Sequence, residues 1–151
     1  MPDDLMTSLG DWVLAAGIAD EVSGDGLVDG RALREAIYQI ISDRMSGEPY
    51  DDTALRTVNR FAREPDVTPQ LSSAGRRTTA TAAQALSTIA RDAIAVVSGP
   101  AATRLRECGR PGCTQVYLDH SRGGQREWCS MKACGNRTKA QAYRDRQRVA
   151  A

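Results

Sequence analysis

The sequence predicts a mainly α protein with one small β-hairpin, divided into a helical amino-terminal domain and a compact cysteine-bearing carboxy-terminal module. Three observations carry this expectation. Apolar stripes at helical spacing recur through residues 1–98. All 4 cysteines, Cys108, Cys113, Cys129 and Cys134, fall in the last third of the chain. Charge divides where the stripes end: residues 1–103 hold 9 Lys+Arg against 15 Asp+Glu, and residues 104–151 hold 11 against 4.

Each element follows from local pattern. Asp4–Ala16 carries Leu5, Leu9, Trp12 and Val13 at helical spacing, which predicts a short helix. Residues 24–30, GDGLVDG, form a loop by composition. Their glycines miss the dinucleotide-binding spacing and their aspartates miss the calcium-loop pattern, so the segment is a solvated turn. A helix from Asp29 or Gly30 through Met45 sets Leu33, Ile37, Ile40 and Ile41 on one stripe, and Gly47 and Pro49 end it. A third helix spans Asp51–Arg63 with Leu55, Val58, Phe61 and Ala62, and Pro65 stops it. SSAG followed by RRTTAT predicts a small β-hairpin within Val67–Thr81. A fourth helix over Thr81–Val97 aligns Leu86, Ile89, Ala93, Val96 and Val97, and Ser98-Gly99-Pro100 punctuates its end. The expected domains are 1–98 and 104–151, joined by a linker at 99–103.

At 151 residues and 41% hydrophobic content the chain suits one or two globular domains. No apolar run approaches the ~20 residues of a membrane span. The start, MPDDLMTSLG, is acidic and lacks a secretory signal's basic region, so the expected location is the cytoplasm. Thiols stay reduced there, and paired cysteines more often mean metal than disulfide.

The cysteines read C-GRPG-C, a 15-residue spacer, then C-SMKA-C. Two close pairs separated by one supersecondary unit are what a tetrahedral Zn²⁺ needs from a short chain. Gly109 and Gly112 permit the turn of the first pair and Pro111 stiffens it. Thr114–Leu118 then reads as a strand, Asp119–Gln125 as a turn and Arg126–Trp128 as the return strand. Cys134 opens the final helix, whose dipole favours a thiolate. Knuckle, hairpin and helix in that order make a treble-clef-like zinc finger with one structural zinc. Catalytic zinc keeps a position for water, and four thiolates leave none. Disulfide or redox chemistry is the remaining reading of the pairs, although C-x(4)-C is not the redox C-x-x-C spacing. His120, the one histidine, falls in the hairpin turn, and its solitude argues against a Ser-His-Asp or Cys-His enzyme.

After Cys134 the chain is strongly basic. Arg137, Gln141, Arg144 and Arg148 share one helical face, suited to phosphate contacts and base edges in a major groove. Ala140, Tyr143, Gln147 and Ala150 form a neighbouring stripe expected to pack on the hairpin, with Lys139 and Arg146 on its other side. Arg122, Arg126 and Lys132 add charge from the finger itself. The bland reading is a solvated helix that offsets the thiolates.

These residues resemble a known family. Cys108–Arg148, with Asp119-His-Ser121, Trp128-Cys-Ser and Cys134-Gly-Asn-Arg137, is similar to the CGNR zinc finger, which closes a bacterial family of stress-induced transcriptional regulators. Residues 4–98 resemble that family's helical ABATE domain in helix order and spacing. The resemblance implies Cys108, Cys113, Cys129 and Cys134 as zinc ligands and a DNA-binding role. It also implies an apolar segment around a Leu-Asn-Thr motif ahead of the Trp12 helix, so the expectation is either a truncated start or an incomplete ABATE core, and an arginine where Glu127 stands. The expected function is a non-enzymatic zinc-binding regulator. DNA is the expected partner of the finger; a small molecule, a protein or a second copy of the chain is the expected partner of the helical domain. The rivals are a protein-interaction module for an acidic partner and a thiol redox switch.

Overall fold

A computed structural model describes residues 16–149. The helix expected around Leu5, Leu9, Trp12 and Val13 lies outside them. The chain separates between Ala102 and Thr103 into two compact units.

Among the described residues the first unit is built on three helices. Strand β1, Glu21–Ser23, leads into α1, Leu27–Ser46. This helix begins earlier than its apolar stripe, because the Asp25 carboxylate accepts the Leu27 N–H at 3.0 Å and holds the first turn. It ends where Gly47 donates its N–H to the Asp43 carbonyl. Helix α2, Asp52–Ala62, is capped by the Asp51 carboxylate, which accepts from the Ala54 N–H at 2.8 Å. Helix α3, Ala82–Ser98, opens with a reciprocal cap between Thr81 and Gln84.

Packing follows the period of each helix. Leu33 and Ile40 of α1, Val58 and Phe61 of α2, and Leu86, Ala90 and Val97 of α3 are buried together, and each helix packs on both others. Polar side chains close the joints. The buried Asp43 carboxylate accepts from Gln39 Nε2 at 2.7 Å and from the Asp51 N–H at 2.9 Å, tying α1 to the start of α2. Arg91 donates to the Ala62 carbonyl at the end of α2 and, with the Ser87 hydroxyl, to the Glu64 carbonyl just beyond it. An apolar cleft of about 160 Å³ opens among the helices, lined by Ile37, Leu55, Ile94, Val97, Tyr50 and Asn59 among others.

The expected hairpin near residue 75 is present as β2, Gln70–Ser72, antiparallel to β3, Gly75–Arg77. The pattern did not foretell β4, Thr79–Thr81, which pairs in parallel with β1 so that Val22 faces Ala80. Those segments are too short to show a two-residue alternation.

The chain then passes through a 3₁₀ turn, Pro100–Arg104. In the second unit β5, Leu105–Glu107, pairs antiparallel with β6, Val116–Leu118, placing Arg106 opposite Tyr117. This corrects the expected hairpin. The partner of β6 precedes the first cysteine pair, and Arg126–Trp128 forms no strand. The turn of the hairpin is thus the Cys108–Cys113 loop itself. A π-helical turn, Met131–Gly135, leads into α4, Asn136–Val149.

Candidate metal centre and basic helix

The four thiols converge. Their sulfurs all lie within 4.8 Å of one another, and they are the one such group of metal-binding side chains among the described residues. Cys134 Sγ stands 3.5 Å from Cys129 Sγ and 3.7 Å from Cys113 Sγ. A tetrahedral ion with Zn–S of ~2.3 Å needs sulfur–sulfur edges of ~3.8 Å, so the cluster fits one zinc ion.

Each sulfur is placed by its local backbone. Cys108 directly follows β5, and its N–H reaches the Gln115 carbonyl at 2.9 Å, which closes the loop towards β6. Gly112 turns that loop with φ of 75°, a conformation costly to any residue with a Cβ. Gly109 serves differently from the expectation: its φ is not positive, and a Cβ there would lie 3.2 Å from the Glu127 carbonyl that its own N–H binds. Cys129 donates its N–H to Cys108 Sγ at 3.4 Å, linking the two pairs. Cys134 sits in the π-helical turn, where its N–H and that of Gly135 share the Ser130 carbonyl at 3.0 Å. At Gly135 a Cβ would meet Met131 Sδ at 2.6 Å, so a side chain there would displace the Met131 thioether that lies against this glycine.

Protonation favours a metal over free thiols. Burial pushes the Cys108 thiol up, but backbone N–H donors from Cys129 and Arg110 outweigh it and bring it down to about 7. Burial, followed by the neighbouring thiols, pushes Cys129 up to about 12. Cys134 is also raised, by burial first. The Cys108 thiolate forms easily, whereas Cys129 and Cys134 resist until a cation joins them. Arg110, in the same loop, keeps its Nε buried without a hydrogen-bond partner. A cation in that loop is what a zinc tetrathiolate of net charge about −2 calls for.

A second set of residues holds the finger closed. Asp119 is buried, and its carboxylate accepts the N–H groups of Ser121 at 2.8 Å and Arg126 at 3.0 Å. Bonds from the Ser121 hydroxyl and backbone hold that carboxyl below the ordinary carboxylate range. These bonds explain why Arg126–Trp128 fails to pair as a strand: its backbone is taken up by Asp119 and by the first cysteine loop. Arg126 itself lies 4.7 Å over the Tyr117 ring and donates to the carbonyls of Trp128 and Cys129. The Tyr117 hydroxyl in turn donates to the Arg126 carbonyl. The guanidinium expected to meet phosphate is thus engaged within the finger. The Asp119-x-Ser121 spacing could have revealed the carboxylate's role; nothing in the sequence reveals that of Arg126. His120 is exposed and outside the sulfur cluster.

Helix α4 departs from the expected packing. Every residue from Arg137 to Arg148 except the half-buried Thr138 is exposed, and Tyr143 keeps 58% of its surface. The stripe of Ala140, Tyr143 and Gln147 therefore covers nothing, while Ala150 lies outside the described residues. Two alanines and a phenol ring offer too little apolar area to hold a helix against the finger. At its start the helix continues directly from the π-helical turn, and Thr138 Oγ1 donates back to the Cys134 carbonyl at 3.0 Å. Arg137, Lys139, Arg144, Arg146 and Arg148 all reach solvent, as do Arg122 and Lys132 on the finger. Gln141 is tied up: its Nε2 donates to Asp145 at 2.9 Å and its Oε1 accepts from Arg144 at 2.8 Å.

Residues 5–100 match the family described as "Putative stress-induced transcription regulator", named ABATE. The chain belongs to the ABATE family. Residues 104–147 match the CGNR zinc finger, and the four clustered cysteines fall within that stretch. No curated protein matches the chain. No helix among the described residues is long and apolar enough to cross a membrane.

Proposed function

We propose that this ABATE-family chain is a cytoplasmic bacterial transcription regulator whose CGNR finger presents α4 to DNA. Cys108, Cys113, Cys129 and Cys134 hold one structural zinc ion; with four thiolates as ligands the metal has no position for a reacting water, so the finger is not an enzyme site. The cations of α4, Arg137, Lys139, Arg144, Arg146 and Arg148, meet the phosphates, and Arg122 and Lys132 extend that surface from the finger. The observation that carries this reading is the state of α4. It is a helix exposed along its length, with five cations and one acid, Asp145, between Arg137 and Arg148. Such a helix gains its burial from a polyanion.

The amino-terminal unit is assigned the sensing or pairing role, which the apolar cleft among α1, α2 and α3 supports. Residues 99–103 join the two domains. The competing reading is a module for an acidic protein. Duplex binding by the zinc-loaded chain, measured at physiological salt against an excess of an unrelated polyanion, separates them. Retained binding supports DNA; complete loss to any polyanion contradicts it. Replacing Arg144 and Arg148 together with alanine is expected to flatten the salt slope of binding by about two, one for each phosphate left without its cation.

A further inference from the structure

We infer that the face of α4 formed by Asn136, Ala140, Tyr143 and Gln147 reads base edges in a DNA major groove, with cations on both sides of it gripping the two phosphate backbones. This rests on the DNA-binding reading above. At ~100° per residue, Arg137, Arg144 and Arg148 form one stripe, and Lys139 and Arg146 form another about half a turn away. Asn136, Ala140, Tyr143 and Gln147 lie between the two, nearly equidistant from each. Asp145, the helix's one acid, lies on the opposite side with Thr138, the one half-buried position. The helix thus has a back, where the finger attaches and the negative charge sits, and a front flanked by positive charge.

The front is free, whereas the amide of the rival face is bonded to its own neighbours. Ala140, Tyr143 and Gln147 are exposed. Gln141, the amide the bare helical wheel favoured as a base reader, is turned back onto Asp145 and Arg144. An α-helix ~10–12 Å across fits a major groove ~12 Å wide, whose two walls are phosphate backbones. Opposed basic stripes match two walls. A flat acidic protein would meet one stripe and leave the other in water. The deep, narrow major groove of A-form RNA admits no side-chain readout. Within a B-form groove Gln147 and Asn136 supply the paired donor and acceptor that recognise adenine, and the small Ala140 side chain suits a thymine methyl.

The test is selection of preferred duplexes from a random pool with the full zinc-loaded chain, followed by salt titrations of variants. Alanine at these exposed helical positions preserves the helix. Gln147→Ala and Tyr143→Ala are expected to reduce discrimination between the selected site and a scrambled duplex about tenfold, with the salt slope unchanged. Arg144→Ala is expected to weaken both duplexes alike and lower the slope by about one. Gln141→Ala is expected to leave discrimination intact. If Gln141→Ala erases the preference while Gln147→Ala and Tyr143→Ala keep it, the assigned face is wrong. Duplex binding with no sequence preference, or equal binding to an A-form RNA duplex or an acidic peptide, likewise overturns it. Loss of all duplex binding to a polyanion competitor overturns the DNA reading itself.

Discussion

In the helical unit the interior is apolar: Leu33, Ile40, Val58, Phe61, Leu86, Ala90 and Val97 are buried against one another. From Thr103 onward the buried residues are few: Leu105, Cys108, Cys134, Gly135 and Asp119. Val116, Tyr117 and Leu118 of β6 are only half-buried, and α4 covers no core at all. A module of this size cannot bury enough apolar surface to fold alone and needs a metal or disulfide staple. One region is therefore held by solvent exclusion and the other by coordination. The same contrast separates their uses, since a module without a core is free to turn a whole helix outward.

The sharpest way to break this contrast is Cys134→Ser. Structural zinc supplies ~10–16 kcal/mol of apparent binding free energy in small fingers, so losing one thiolate is expected to take the metal content from one per chain to near zero. Amides of the second unit should then lose their exchange protection while those of α1, α2 and α3 keep theirs. Loss of protection in both units would show that the division is false.

The converse is Phe61→Ala, which should destabilise the helical unit by ~3–5 kcal/mol through cavity formation and leave zinc content at one. A drop in metal content would couple what the contrast separates. Smaller is Asp119→Ala, which leaves two N–H groups of the finger without their acceptor at ~1–3 kcal/mol. It should read out as weaker zinc retention against a chelator, with the helical unit's melting unchanged.

Acid sharpens the comparison further. The Cys108 value is depressed to about 7, so its contribution is present above the ordinary thiol range and is lost as pH falls through about 7. Below that point the metal must displace one more proton, and zinc affinity should fall by a further ~1.4 kcal/mol for each pH unit. The helical unit should show no matching step. Affinity that rises on acidification would contradict the thiolate assignment.

The sequence disclosed what depends on period and spacing. Leu33, Ile40, Val58, Phe61 and Leu86 recur at the helical interval, so their helices and inward faces were readable. The cysteine pairs were readable because the tetrahedron demands two tight returns. Pairing was not. β5 carries no alternation that distinguishes Leu105-Arg106-Glu107 from the loop beside it, and the rival strand at Arg126–Trp128 looked equally good until Asp119 claimed its backbone. The outward stance of α4 was also hidden. Ala140, Tyr143 and Gln147 form a packing stripe on paper, yet they carry too little apolar surface to use it. Gln141 looked free because its partners, Arg144 and Asp145, act through geometry rather than pattern.

Amide hydrogen exchange on the full zinc-loaded chain, before and after a zinc-selective chelator, tests the central claim most directly. Protection is expected to vanish in β5, β6, the Met131–Gly135 turn and the first turn of α4, with α1, α2 and α3 unchanged. A second unit that stays protected after its metal has been removed would contradict that claim.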